Sequence, residues 1–307
     1  MRSPPPIAAL VGPTASGKTD LALAIARRVP LEILVADSRQ VYRGMDLATA
    51  KPDAAARAAV PHHLIDLVDP DQPFSVADWL FAARSLVDEI AGRGRLPLVV
   101  GGTGLYVSAL VDGYQLGSPP PAPLRQALQA ELTETGLATL AARLEREDPA
   151  TAARTDLRNP RRVTRALERA AAGGNGTGSA PWPGTVVMIG LSRPMGELRR
   201  RISERAERFF TGGLLAEVRG LLEAGYGPDL PPMSGHGYRE AARHLAGEWT
   251  LEEAIAATVQ RTGQYAKRQM TWFRRDPRIT WLELGDRACD DPEIVDHAIA
   301  LLPVPRP

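Results

Sequence analysis

Gly12-Pro13-Thr14-Ala15-Ser16-Gly17-Lys18-Thr19 satisfies the pattern G-x-x-x-x-G-K-[ST] at every fixed position. Its flanks decide how it is read. Upstream, residues 7–11 (IAALV) form a short apolar run of the kind found in a buried strand. Downstream, residues 20–29 (DLALAIARRV) read as a helix, with Leu21, Ile25 and Arg28 one turn apart. Strand, glycine loop and helix together surround a phosphate with backbone N–H groups and aim the positive end of the helix at it. In such a loop Lys18 reaches the outer phosphate oxygens and the Thr19 hydroxyl holds Mg²⁺. A glycine-rich connection formed by chance would lack these flanks. The expected fold class is therefore α/β: a P-loop-type parallel sheet core flanked by helices, gripping a polyphosphate.

Composition narrows the partners. A chain of 307 residues has room for about two domains. The net charge of +1 excludes a protein that binds nucleic acid through its whole surface, so any such surface is local. The one cysteine, Cys289, excludes an internal disulfide and a cysteine-rich zinc module, and suits a reducing cytoplasm. The N-terminal apolar run ends in the phosphate loop and does not read as a signal peptide. No stretch approaches the ~18–20 apolar residues of a membrane span. A monomer is the default expectation.

Further along, residues 31–36 (LEILVA) predict a second buried strand that runs into Asp37-Ser38-Arg39-Gln40-Val41-Tyr42. Ligands of open parallel sheets lie beyond the carboxyl ends of the strands, so Asp37 falls on the rim of the phosphate loop. It is a candidate general base or metal ligand there, or an N-cap for the next segment. Residues 44–52 read as loop and residues 64–68 (LIDLV) as a strand. His62-His63 lacks the carboxylate or cysteine spacing of a metal site. Residues 75–90 predict an amphipathic helix with Ser75 as its cap. Residues 96–100 (LPLVV) are another central strand, ending in Gly101-Gly102-Thr103-Gly104-Leu105-Tyr106. These glycines let backbone approach a ligand, and Thr103 is either a rim residue or a helix cap.

The texture changes at residues 117–123 (GSPPPAP), which read as a hinge into an inserted module. The catalytic core is expected over 1–116 and 185–307, and an all-helical insertion over 117–184. Within the insertion Arg154, Arg158, Arg161, Arg162, Arg165 and Arg169 crowd together with few acidic neighbours. That bias fits phosphate-backbone contact as well as a solvated face. A glycine loop at 173–179 leads back to a strand at 185–191. Helices follow over 197–210 (an arginine-rich run), 214–224, from about 234 to 245, and 251–273; a strand at 279–284 and a helix at 292–302 complete the chain.

GPTASGKT, DSRQVYRGMDLATAKP, GGTGLY, RRVTR, GYRE and QYAKRQMTWFR occur in this order, and the chain that carries them resembles the tRNA dimethylallyltransferase (tRNA isopentenyltransferase) family. The resemblance covers residues 7 to about 284. It implies a P-loop-type core with a helical insertion that grips the anticodon stem-loop of tRNA. It also implies transfer of a dimethylallyl group from dimethylallyl diphosphate to the exocyclic N6 of the adenosine 3′ to the anticodon, with Mg²⁺ as cofactor. A loop read on its own as an ATP site then holds a prenyl diphosphate. By the same resemblance Gly12, Pro13, Thr14, Ala15, Ser16, Gly17, Lys18 and Thr19 bind the diphosphate, with Thr19 on the metal. Asp37 is the general base, Thr103 touches the target nucleotide, and Arg239 lies at the mouth of the site. The implied tRNA contacts are Asp37, Ser38, Arg39, Gln40, Thr103, Arg125, Arg161, Arg162, Val163, Thr164, Arg165 and Arg239. Leu47-Ala48 replaces the family's Ile-Gly, and Ser234-Gly235-His236-Gly237 departs from its usual sequence before GYR.

The chemistry is self-consistent. An allylic diphosphate leaves with growing negative charge, which amides, Lys18 and Mg²⁺ stabilise. Adenine N6 is a weak nucleophile and must lose a proton, which a carboxylate accepts. Two other enzyme classes share the loop. A small-molecule or nucleotide kinase needs an arginine-bearing lid, for which the insertion could be mistaken. An isopentenyltransferase acting on free adenine nucleotides needs no helical insertion. A GTPase-like RNA binder is opposed by the lack of N-K-x-D.

Overall fold

Strand β1 (Ile7–Val11) is buried along its whole length at the centre of the sheet, because both faces of a parallel sheet are covered and only unbroken apolar runs fit there. The structure, a computed structural model, describes residues 4–116, 122–171 and 178–303. Most of the proline-dense hinge at 117–123 and of the glycine loop at 173–179 lies outside the described residues.

In chain order, α1 (Lys18–Ala26), β2 (Leu31–Ala36), α2 (Ala54–Ala59), β3 (His62–His63), α3 (Val76–Gly92), β4 (Leu96–Gly101) and α4 (Gly104–Val111) complete the first part of the core. The insertion carries α5 (Ala122–Thr135), α6 (Leu137–Glu147), α7 (Pro149–Ala152) and α8 (Pro160–Ala171). The core resumes with β5 (Val186–Ser192), α9 (Met195–Thr211), α10 (Leu214–Glu223), α11 (Tyr238–Leu245), α12 (Leu251–Phe273), β6 (Ile279–Glu283) and α13 (Pro292–Leu301). The six-stranded sheet has the order β3-β2-β4-β1-β5-β6, and every pairing is parallel. This is the P-loop-type α/β fold.

Local chemistry sets the boundaries. Ser75 caps α3 in a complete capping box with Asp78, and Thr250 caps α12 in another with Glu253. Trp79 of α3 is fully buried, donates its indole N–H to the Val35 carbonyl at 2.9 Å and stacks on Tyr106 of α4. That contact fixes the end of β2, from which Asp37 projects. One core cluster packs α1 and α13 on the sheet through Leu21, Ile25, Leu98, Val100, Ile294 and Val295. Another joins Tyr42 and Met45 to Phe210, Leu214, Val218 and Tyr238.

The strand expected at residues 64–68 is not there. Leu64 and Asp66 take positive φ (68° and 54°), which a strand does not tolerate. The Asp66 carboxylate is occupied by Lys51 and Arg57. Pairing with β2 is confined to His62-His63, and Val68 makes a single bridge to Tyr42.

Two compact units emerge: residues Met1–Gly113 with Pro181–Pro307, and residues Tyr114–Ala180. The second has its own core of Leu128, Leu140, Leu144, Ala152, Val163, Ala166 and Leu167. Leu140 is fully buried in it, so Leu140→Ala is expected to cost about 2–5 kcal/mol, read as a lower urea midpoint for the intact chain.

Candidate active site

The carboxyl ends of β1, β2 and β4 share one rim, and a cavity of about 830 Å³ opens there. Its wall includes the phosphate loop from Thr14 to Thr19 except Ser16, Asp37 and Gln40 after β2, and Gly101-Gly102 after β4. Helix α9 adds Arg201, Glu204, Arg205 and Arg208, and α12 adds Tyr265 and Gln269.

The phosphate loop is held from behind. Gly12 has φ 142°, and a Cβ there would lie 2.7 Å from the Leu191 carbonyl oxygen. Gly17, the cap residue of α1, has φ 97°, and its Cβ would lie 1.9 Å from Cys289 Sγ. The buried Arg193 guanidinium donates to the carbonyls of Ser16 (3.0 Å), Gly285 (3.0 Å) and Arg287 (2.8 Å). Burial pushes the Cys289 thiol up, against the opposing pull of Arg193. Lys18 folds back over the loop and donates to the carbonyls of Gly12 (3.0 Å) and Pro13 (2.7 Å). The Ser16 hydroxyl oxygen is buried with no protein partner.

Arginines 201, 205 and 208 recur at the helical period, so α9 presents them on one face. Arg201 Nε donates to the Ala15 carbonyl at 2.9 Å, and the Arg205 guanidinium bonds the Thr14 hydroxyl. Arg200 instead pairs with Glu197 and Glu204. Burial, helped by Arg205, brings Lys18 down to about 8. Burial, helped by Arg208, brings Arg205 down to about 10. Asp37 pulls both back up. Cations crowded in this way favour an anionic ligand among them. The arginine run of 199–208 is visible in the sequence, and its spacing was the signal for the stripe.

Asp37 Oδ1 accepts from the Arg39 amide at 2.8 Å, leaving the carboxylate on the cavity wall. Thr103 heads α4 without a side-chain cap bond. Its Oγ1 accepts from the Ser38 amide at 3.0 Å and its own amide donates to the Ala36 carbonyl, so it braces the Asp37 loop and is not on the cavity wall. The glycines around it are required by the protein's own packing. A Cβ at Gly101 would meet the Ala36 carbonyl oxygen at 2.1 Å, at Gly102 the Gln269 amide at 2.1 Å, and at Gly104 the Trp272 ring at 2.3 Å.

Arg39 is tied by Nη1 to the Pro231 carbonyl (2.7 Å) and by Nη2 to the Ser234 hydroxyl (3.2 Å). Gln40 donates to the Thr49 carbonyl at 3.0 Å. Burial pushes the Tyr265 phenol up to about 12, with Asp37 adding to it. His236 lies 5.4 Å from the Tyr265 ring, and burial, with Arg261, Arg268 and Arg39 around it, brings it down to about 4.

Arg239 is exposed on the first turn of α11 and does not line the cavity; its neighbour Glu240 takes the inward position and pairs with Arg261. Val163 is a correction: it is fully buried in the insertion core, so its side chain does not reach RNA. Its neighbours Arg161 and Arg162 are exposed on α8. Thr164 bonds back to the Pro160 carbonyl at 2.7 Å. Arg125 and Arg165 both pair with the buried Glu168, at 3.4 and 2.9 Å.

Among the described residues no cluster of three His, Cys, Asp or Glu side chains is placed to hold a metal. The exposed Thr19 on the cavity wall suits an ion bound mostly by ligand oxygens, as Mg²⁺ commonly is. Among the described residues no helix is long and apolar enough to cross a membrane.

The profile of a family described as IPP transferase matches residues 40–276, and one described as isopentenyl transferase matches residues 5–59. A tRNA dimethylallyltransferase from Roseiflexus sp. (strain RS-1) is 49% identical over 282 residues, covering 90% of this chain and 92% of its own. One from Desulforudis audaxviator is 45% identical, covering 93% of this chain and 94% of its own. Among solved structures, the full-length tRNA isopentenylpyrophosphate transferase of Bacillus halodurans superposes with a TM-score of 0.71 at 40% identity, covering 96% of this chain and 95% of its own. A eukaryotic dimethylallyltransferase acting on tRNA shares the fold, with a TM-score of 0.79 at 22% identity, covering 96% of this chain and 77% of its own.

Lys18 generates a pH prediction. A bound anion favours the charged ammonium, so binding takes up the proton that Lys18 loses near pH 8. Affinity for inorganic diphosphate, measured by titration calorimetry, is expected to hold below that pH and to weaken as pH rises through it. In Lys18→Met this weakening is expected to vanish.

Proposed function

We propose the donor, acceptor and base of this reaction from the premise that the chain belongs to the tRNA dimethylallyltransferase family. It is a prenyl transferase of tRNA modification. The donor is dimethylallyl diphosphate, and the acceptor is the exocyclic N6 of the adenosine 3′-adjacent to the anticodon. The observation that carries this reading is the convergence of Lys18, Arg201, Arg205 and Arg208 on the phosphate loop, with Asp37 on the same cavity wall.

In this reading the loop and the α9 arginines hold the diphosphate. N6 bonds to C1 of the prenyl group while the C1–O bond breaks, and diphosphate carries away the electron pair. Asp37 takes the N6 proton. Fixed cations that meet charge as it develops lower the barrier without reorganising, which is the largest lever such a site has. Thr19 would hold Mg²⁺, which would supply further charge neutralisation at the leaving group. The acceptor base has to leave its stack to reach the rim, at a cost of a few kcal/mol that contacts elsewhere on the RNA offset. Arg161 and Arg162, exposed on α8, are suited to phosphate contacts of that kind.

The decisive experiment offers labelled dimethylallyl diphosphate with tRNA, with AMP, or with neither. Label on tRNA is the expected outcome; label on AMP alone would point to the free-nucleotide enzyme. Asp37→Ala is expected to lower single-turnover transfer by about 10²- to 10⁴-fold with tRNA binding retained. A near-normal rate would remove Asp37 as the base. Arg161→Ala with Arg162→Ala is expected to weaken tRNA binding and flatten its dependence on salt, by about one unit of log-log slope for each phosphate that is no longer neutralised.

A further inference from the structure

We propose that Gln269 is a positioning residue that sets the gap between the donor and acceptor halves of the site; this rests on the function given above. Gln269 is buried near the end of α12. Its Oε1 accepts from the Thr14 amide at 2.8 Å, and its Nε2 donates to the Gly102 carbonyl at 2.9 Å. One neighbour is a donor and the other an acceptor, so the orientation of the amide is forced and both of its ends are used.

Each partner belongs to a different half of the reaction. Thr14 is in the diphosphate loop, where its hydroxyl also receives Arg205. Gly102 precedes Thr103, which is bonded to the Ser38 amide and the Ala36 carbonyl on either side of Asp37. Hydrogen bonds joined by short stretches of backbone therefore run from Arg205 through Thr14, Gln269 and Gly102-Thr103 to the residues on either side of Asp37. Gly102 is shaped for this link, since a Cβ there would fall 2.1 Å from Nε2. Through Gln269 the long α12 ties two rim loops that are far apart in the chain. A shift of an ångström between reacting groups is enough to cost about 10²-fold in rate.

The test starts with the wild-type chain. If labelled donor gives no labelled tRNA, the function itself is wrong and this inference falls with it. If it does, Gln269→Ala and Gln269→Glu are compared with it. The glutamate keeps the acceptor for Thr14 and sets an oxygen against the Gly102 carbonyl. In both, kcat is expected to fall about 10- to 100-fold. Equilibrium binding of tRNA and of an unreactive dimethylallyl thiodiphosphate is expected to stay within about threefold, because the loss is in alignment. Diphosphate released per labelled tRNA is expected to rise above parity. A misaligned C1 is captured by water: the C1–O bond to diphosphate breaks, the water oxygen bonds C1, and its proton goes to solvent, giving dimethylallyl alcohol. Should Gln269→Ala melt early, Gln269→Glu, equal in size, carries the comparison. Parity with an unchanged kcat, or a loss confined to the binding of either substrate, overturns the proposal.

Discussion

Lys18 and Arg205 repel each other across the phosphate loop, and much of the site is arranged around that repulsion. Each is lowered first by burial and then by a neighbouring cation, and Asp37 is the carboxylate that opposes this for both. Lys18 donates to the Gly12 and Pro13 carbonyls, and Arg205 to the Thr14 hydroxyl. Those neutral acceptors are weaker partners than an oxyanion. In the reading proposed above, a diphosphate would meet charges already in place, and the same charges would favour departure of the leaving group.

Asp37 is kept from simply neutralising those cations by its surroundings. Its backbone neighbours are tied to Thr103, and one of its oxygens is tied to the Arg39 amide. Arg39 in turn is fastened to Pro231 and Ser234. The carboxylate therefore stands at the cavity wall on a braced loop, available to a proton donor instead of collapsing onto Lys18. Carboxylate and cations share one cavity because separate elements restrain each of them.

The central strands, the phosphate loop and the capped helices were legible in the sequence because each is a local pattern. An unbroken apolar run, a glycine spacing and a Ser-x-x-Asp box carry their meaning within a few residues. Residues 64–68 differ for the same reason: their apolar run resembles a strand, whereas Leu64 and Asp66 take positive φ and the Asp66 carboxylate pairs with Lys51 and Arg57, which lie outside the window. The RRVTR motif contains Val163, which belongs to the insertion core. The helix sorts it by face, sending Val163, Ala166 and Leu167 inward and leaving Arg161, Arg162 and Arg165 outside. The partners of Gln269 and of the Arg201, Arg205 and Arg208 stripe lay beyond local reading, since they are in the loops after β1 and β4. The α9 period showed that a basic face existed without showing what it faced.

Arg193 has a consequence for how the protein is made. The carbonyl of Ser16 is held by a guanidinium from residue 193, which is itself seated on the carbonyls of Gly285 and Arg287, and Gly17 packs against Cys289. During synthesis the phosphate loop leaves the ribosome well before residues 193 and 285–289, which back it. A nascent chain thus carries the whole signature long before it can hold it in shape. Competence to grip an anion waits for those residues, so a polypeptide cut short of them would not sequester one.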